Sequence, residues 1–507
     1  MNPGTASPDR PRRLLLIAAV SLAALAWLTF RFTFELGLLG WDSYPMILTA
    51  RITSFGDFLG TFTEELMDGR YPRGHWFRPV TNLSFALDHA LWGLNARGYH
   101  ATDVAILAGN ALLLFAFVRR LFGARFLVAA AIAAVLFTIH PIQVEIIPVP
   151  PRRADTLCLF FTLACLYVLA RESVAPLRWR LSCGLLALLA VGAKETGVIV
   201  APLAFGLAFF AAGTRPIPAR LKAAARRSSP AVLAVALFAV WRAAVLGGLG
   251  GIQATSLAAI TEILDRVQPY VARLLTPQPL GVSPAIGAVI VAACGVALFL
   301  LAVAVYRRPG TSAVAERTKI RAGLLFVALW FVSLLAISAL AAQVEEWYAM
   351  PFVAPYAILV GVIADRGVHA LRARRLSLAL PALGLSALLL VNHAVFSPLF
   401  HPYPRWQRVD ELARNTLRRF EAATLAARPG RSAVLRSFVP GLPRRADGRG
   451  IRSAAILSDY SLQAYAELVM PERKVEIVRH DANGPAPPPS SPDVIQVILV
   501  PGPPPHR

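Results

Sequence analysis

The sequence predicts an all-α polytopic membrane protein of about eleven transmembrane helices, with a large first outer loop carrying amphipathic helices and a small C-terminal α/β extracytoplasmic domain. Three observations predict this. The 507 residues are 56% hydrophobic and 16% charged, with a mean hydropathy of +0.57, whereas soluble domains are about 45–50% apolar and about 25% charged. The apolar residues fall in long runs that match the reach of a helix across the hydrocarbon core. The arginines collect in alternate turns between those runs. A single soluble domain and a disordered chain are both excluded. Cys158, Cys165, Cys183 and Cys294 lie inside apolar runs without zinc-like spacing, which excludes a zinc module or a disulfide framework.

The candidate spans are 14–34, 99–118, 126–140, 155–170, 180–193, 196–212, 229–247, 284–305, 321–341, 351–365 and 378–397. The first is too long for a signal-peptide core and has no small-residue cleavage site, so it reads as an uncleaved signal anchor. The stretch 180–212 divides at Ala193-Lys194-Glu195-Thr196, because two charges in mid-bilayer are expensive.

Orientation follows from the basic residues. Arg10, Arg12 and Arg13 precede the first span. Arg119, Arg120 and Arg125, then Arg171, Arg178 and Arg180, then Arg215 to Arg227, Arg307 to Arg321 and Arg366 to Arg375 occupy alternate turns. The opposite side holds Glu35, Asp42, Asp57, Glu64, Glu65, Asp68 and Asp88 in one loop. This is the positive-inside pattern, with residues 1–13 in the cytoplasm of a cell whose inner membrane holds the chain. It accounts for much of the formal net charge of +22 without a nucleic-acid partner. An odd span count puts the C-terminus outside.

Within the membrane domain, 14–397, the outer loop 35–98 is periodic. Residues 45–66 read as an amphipathic helix along the membrane surface, and 79–94 as a second. The tail, 398–507, offers helices at 405–427 and 459–470 and strand-like runs at 432–438, 474–478 and 494–500, an alternation that suggests a small α/β unit.

The polar residues that invite chemistry map to the outer face. Asp42, in Gly40-Trp41-Asp42-Ser43-Tyr44, is placed to act as general base, against the plainer reading of a solvated residue near a helix capped by Ser43. Arg78 follows Trp76 and Phe77 on an aromatic loop, a setting for a lipid phosphate or for simple snorkelling. His140 and Glu145 close the third span and form a weak candidate site for a divalent cation, against an interfacial histidine in its own hydrogen bonds. Arg153 is a further phosphate candidate, and Asp155 either caps the fourth span or joins the site. Lys194 and Glu195 either pair with each other or face a polar cavity, and Arg242 requires an anion. Glu346, Trp347 and Tyr348 precede the tenth span. No Gly-rich phosphate loop, nucleophile elbow or HExxH motif occurs, so the activated donor expected of an enzyme here is a lipid in the same membrane.

These residues also carry a resemblance. Arg78-Pro79-Val80-Thr81-Asn82-Leu83-Ser84-Phe85, continuing through Leu91-Trp92-Gly93-Leu94-Asn95 to Gly98-Tyr99-His100, resembles a stretch of the membrane O-mannosyltransferases that carry tetratricopeptide repeats. His140-Pro141-Ile142-Gln143-Val144-Glu145 is similar to that family's HPIHTE, Arg153-Ala154-Asp155 to its GRAD, and Ala193-Lys194-Glu195-Thr196-Gly197 to its SKEQG. Tyr270–Leu280, Glu346–Pro351 and Arg405–Leu412 resemble later segments in the same order. The resemblance covers roughly 35–415 and implies a GT-C glycosyltransferase that uses a polyprenyl-phosphate sugar.

The resemblance also implies roles. An acidic residue in the first outer loop is catalytic in that superfamily, which by position is Asp42. Arg78, Arg153, Lys194 and Arg242 become ligands of the donor phosphate, with His140, Glu145, Asp155, Glu195, Glu346 and Tyr348 as further site residues. The sequence departs from the family at Ser43, where a second acid is common. It departs again at Arg152, where GRAD has glycine, and at Trp347, where an arginine is usual. The second span lacks the family's histidine and offers Asp103 and Asn110, and no tetratricopeptide repeats follow. The acceptor expected from this is an extracytoplasmic hydroxyl of a protein, a glycan or a lipid. The competing readings are a flippase for lipid-linked sugars and an inactive scaffold. Charge gathered at one face, with no internal repeat, favours the enzyme over a transporter with a midplane site.

A periplasm-dependent reporter fused after Arg507 is expected to be active. Cytoplasmic reporter activity at that position would change the span count by one.

Overall fold

The computed structural model describes residues 9–71, 74–171, 177–248, 250, 274–275, 314–339, 346–426, 433–437, 457–473, 475–477 and 494–497. The candidate span 284–305 and most of the Tyr270–Leu280 segment lie outside them. The other ten predicted spans coincide with helices. α1 is Asp9–Phe30, α5 is Ala96–Phe122 and α6 is Leu127–Ile139. α7 is Arg153–Leu169, α8 is Leu177–Ala193, α9 is Val200–Ala211 and α10 is Ile217–Leu246. α11 is Val314–Ala339, α12 is Met350–Arg372 and α13 is Leu376–Val395.

Among the described residues, seven helices are long and apolar enough to cross a membrane, so the count of eleven is not reached on that criterion. Of the four missing, 284–305 lies outside the described residues, and the other three are α7 and α8, of 17 residues each, and α9, preceded by the 3-10 turn Glu195–Ile199. These three are cut short where charged residues interrupt the apolar run. Lys194 takes an extended conformation, φ −156° and ψ 149°, and breaks the helix there.

Several basic runs that the sequence placed in turns are helical. α10 begins at Ile217 after Pro216 and includes Arg220 to Arg227. Arg227 Nη2 donates to the Leu169 and Arg171 carbonyls at 2.7 Å, satisfying acceptors left open at the end of α7. The bundle packs most closely where side chains are smallest. Ala129, Ala130, Ala133 and Ala134 of α6 are fully buried, and a Cβ at Gly361 of α12 would lie 2.3 Å from the Ala129 carbonyl oxygen. Small residues at helix crossings permit this approach.

The first loop forms α2, Ser43–Thr49, α3, Phe55–Thr63, and α4, Pro79–Trp92. The single helix expected over 45–66 is therefore two. Ser54 caps α3 by a reciprocal pair with Asp57, which restarts the helix after a break. Phe55, Phe58 and Leu59 stay exposed on α3.

The tail contributes α14, Pro404–Ala426, and α15, Asp459–Val469. Strands β1, Ala433–Ser437, β2, Val475–Ile477, and β3, Val494–Val497, form a parallel sheet in the order β2-β1-β3. The tail does not bury its apolar face alone. Leu462, Tyr465, Phe420 and Val475 share a core with Leu38, Tyr44, Ile47 and Phe85 of the loop region. α14 also clasps the loop: Asp410 Oδ1 accepts from the Gly37 amide at 2.7 Å, and Arg414 donates to the Glu35 carbonyl at 2.9 Å.

Gly361→Ala is expected to force α6 and α12 apart and to cost about 1–3 kcal/mol, as overpacked cores do. A lowered thermal midpoint of the purified protein in detergent would show it; an unchanged midpoint would contradict the close crossing.

Candidate functional site

Asp42 sits where the first loop turns against the segment before α7. Gly40 has φ +93°, and a Cβ there would lie 2.8 Å from Val149 Cγ1, so both backbone conformation and space demand glycine. Asp42 takes the N-cap position of α2 but makes no side-chain cap bond. Ser43 instead donates to the Leu39 carbonyl at 2.5 Å. The Asp42 carboxylate is thus spared from helix capping. It accepts from the Tyr460 hydroxyl at 2.7 Å through Oδ1. Burial pushes its pKa up to about 6, against lowering contributions from the Tyr460 hydrogen bond, the Arg78 charge, a Trp41 side-chain hydrogen bond and the Arg152 charge.

The carboxylate lines a cleft of about 140 Å³ together with Arg78, Arg152, Asp155, Lys194 and Tyr348. Arg78 precedes Pro79, the first residue of α4, which restricts its backbone. Its guanidinium donates to Glu195 in a two-point fork, Nε at 3.1 Å and Nη2 at 2.9 Å. Lys194 Nζ donates to both Asp155 oxygens at 2.6 Å and lies 4.8 Å from the Tyr348 ring centre. Arg152 lies 3.6 Å over the Trp347 ring, donates to the Glu145 carbonyl, and stands 3.6 Å from the Glu145 carboxylate. Stacking and charge hold its plane in place.

The sequence-predicted residues divide accordingly. Asp42, Arg78, Asp155, Lys194 and Tyr348 share the cleft, while Glu195 stands behind Arg78. Lys194 and Glu195 do not pair with each other. Asp155 serves as the lysine's counter-ion, with the carboxylate turned to the cleft. Arg242 is held behind the cleft by Glu195 at 3.3 Å and by the Phe77 carbonyl at 3.3 Å. Glu346 opens the 3-10 turn Glu346–Ala349 that carries Trp347 and Tyr348.

Arg153 requires correction. Its side chain is 0% exposed, bound to Asp88 at 2.6 Å and Asp103 at 2.5 Å, and it donates to the Tyr99 carbonyl at 3.0 Å. Both carboxylates and the bundle enclose it, so it ties α4, α5 and α7 together and leaves the cleft to its neighbour Arg152.

Of the two readings of His140 and Glu145, the geometry matches the plainer one, a histidine in its own hydrogen bonds. His140 Nδ1 accepts from the Ile142 amide, and Nε2 donates to the Leu274 carbonyl, both at 3.2 Å. Both ring nitrogens are thereby engaged, and Glu145 is turned to Arg152. Among the described residues, no group of three or more His, Cys, Asp or Glu comes together to hold a metal ion.

Sequence reasoning missed Arg152, Trp347 and Tyr460 as parts of the site. Arg152 and Trp347 had a signal, since each departs from the motif pattern and the two departures meet face to face. Tyr460 had none.

No family model matches the chain. Human protein O-mannosyl-transferase TMTC2 is 30% identical over 178 residues, covering 34% of this chain and 21% of that protein. The Drosophila melanogaster protein O-mannosyl-transferase Tmtc1 is 30% identical over 194 residues, covering 36% of this chain and 22% of that protein. The chain thus spans about a fifth of the length of these relatives. The apo oligosaccharyltransferase of Archaeoglobus fulgidus superposes with a TM-score of 0.50 at 14% identity, covering 92% of this chain and 64% of that chain. The chain is similar in sequence to the membrane protein O-mannosyl-transferases over about a third of its length, and in fold to the Archaeoglobus fulgidus oligosaccharyltransferase.

Proposed function

We propose that this chain is an inverting glycosyltransferase that moves a sugar from a polyprenyl-phosphate donor to a hydroxyl of a protein or glycan acceptor on the extracytoplasmic side of an inner membrane. The observation that carries the reading is one cleft holding a carboxylate of raised pKa and three cations, Arg78, Arg152 and Lys194. The names of the sequence relatives support mannose as the first sugar to try. Residues 14–397 form the membrane domain in this reading, and 398–507 an outer tail.

The acceptor oxygen attacks the anomeric carbon while Asp42 takes its proton. The bond between that carbon and the phosphate oxygen breaks, and the phosphate leaves with the bonding pair. Charge grows on the departing phosphate, and cations that are already anchored stabilise it without reorganising. Glu195 and Asp155 supply that anchoring by fixing Arg78 and Lys194. A base with a pKa near 6 accepts a proton more readily than an ordinary carboxylate and is still ionised at pH 7. A flippase reading needs the cations but gives Asp42 no task.

Asp42→Asn keeps the shape and removes the base, so transfer from polyprenyl-phosphate mannose is expected to fall by about 10²–10⁴-fold at unchanged protein level. The wild-type rate should fall as pH drops through about 6, because the proton acceptor is then already protonated. Normal transfer by the mutant would move the base elsewhere.

Neighbouring arginines should separate by phenotype. Arg152→Met is expected to lower turnover in a folded protein. Arg153→Met leaves Asp88 and Asp103 buried without their cation, and breaking such a cluster costs about 3–5 kcal/mol. Its effect should appear as lost folded yield in detergent chromatography. A well-folded Arg153→Met protein with weakened donor binding would reverse the assignment.

A further inference from the structure

The tail reaches the cleft through one side chain. Tyr460, in the first turn of α15, donates its hydroxyl to Asp42 Oδ1 at 2.7 Å. The next residue, Ser461, donates to the Trp41 carbonyl, so two consecutive side chains grip the two residues Trp41 and Asp42. Farther along α15, Arg70 of the loop forks onto Glu467 at 3.1 Å and 3.0 Å. Tyr44 meets Tyr465 edge to face at 4.9 Å. The helix is therefore seated on the loop at several points, and Tyr460 is held in register with Asp42.

From this geometry we infer that Tyr460 is the positioning residue of the base: its hydroxyl holds the Asp42 carboxylate at Oδ1, beside a second side-chain hydrogen bond from Trp41, and orients it toward the acceptor proton. The inference rests on the proposed transferase reading. The phenol cannot serve as a proton source itself, since burial and the adjacent carboxylate both push its pKa upward. A neutral donor suits the task. It orients the carboxylate and favours its ionised form without the full charge of a further cation in direct contact, which would make the base too weak. Arg78, Arg152, Lys194, Asp155, Tyr71 and Tyr348 are the other charged or titratable groups lining this cleft, and all remain in place when the phenol hydroxyl is removed.

The full chain in detergent provides the test, with Tyr460→Phe compared against wild type and Glu467→Gln. Tyr460→Phe removes an interaction that lowers the Asp42 pKa, so the acid limb of the transfer rate should move up by about one pH unit. Half-saturation by polyprenyl-phosphate mannose should change by less than about twofold, since the loss falls on turnover. Glu467→Gln loosens the seat of α15 without touching the carboxylate, and should lower the thermal midpoint while leaving the acid limb unmoved.

A second measurement needs no turnover. Carbodiimide with an amine nucleophile modifies protonated carboxyls, and peptide mass spectrometry reads its extent at Asp42 across pH. The half-labelling pH should be higher in Tyr460→Phe than in wild type. Coincident labelling curves and pH profiles would overturn the role of Tyr460. Normal transfer by Asp42→Asn would instead overturn the transferase base assignment, and labelling would still decide whether Tyr460 holds the carboxylate.

Discussion

The structure depends on one constraint: ionic groups at the end of an apolar bundle must be paired before the helices can meet there. Each pairing spans separate elements. Lys194, in the break between α8 and α9, is held by Asp155 of α7. Glu195 of the same break collects Arg78 from the loop and Arg242 from α10. Arg153 of α7 joins Asp88 of α4 to Asp103 of α5. A buried ion without its partner costs several kcal/mol, whereas a complete pair adds little net stability. These contacts therefore act mainly by admitting one arrangement of loop and helices and penalising the others.

The same pairing divides labour inside the cleft. The cations are anchored from behind by carboxylates, which in the proposed reaction would keep them in place when the donor phosphate arrives. Asp42 meets a neutral phenol at hydrogen-bond distance, with the nearby cations acting on it only through space. Two kinds of carboxylate thus sit within one site. Asp155 and Glu195 are counter-ions, and Asp42 is pushed toward neutrality by burial. Environments that drive like groups apart in this way are a means of assigning acid–base roles.

The loop and the tail form one shell around that site. Asp410 and Arg414 fasten the start of the loop, α15 covers α2, and Glu467 holds Arg70. The apolar surface buried between them includes Tyr44, Tyr465 and Phe420. The outward apolar residues of α3, Phe55 at 74% exposure among them, suit the headgroup boundary beside the bundle. A segment more than 400 residues from Asp42 in sequence thereby becomes part of its immediate surroundings.

What the sequence determined by itself was whatever depends on local pattern. Helix positions follow from runs of apolar residues, the break at Lys194 from two adjacent charges, and the strands of the tail from short apolar alternations. Asp42 was singled out by its position in the first outer loop, and Arg78 and Lys194 because each stands in a stretch that resembles a family motif. Tertiary structure alone decided which charge faces which. Arg152 and Arg153 are adjacent in sequence, yet they straddle the start of α7. Successive residues there point in different directions, so one reaches the cleft and the other the carboxylates of α4 and α5. Tyr460 meets Asp42 across a sequence separation of 418. No periodicity or spacing records such a pairing, because it comes into being only when the tail packs on the loop.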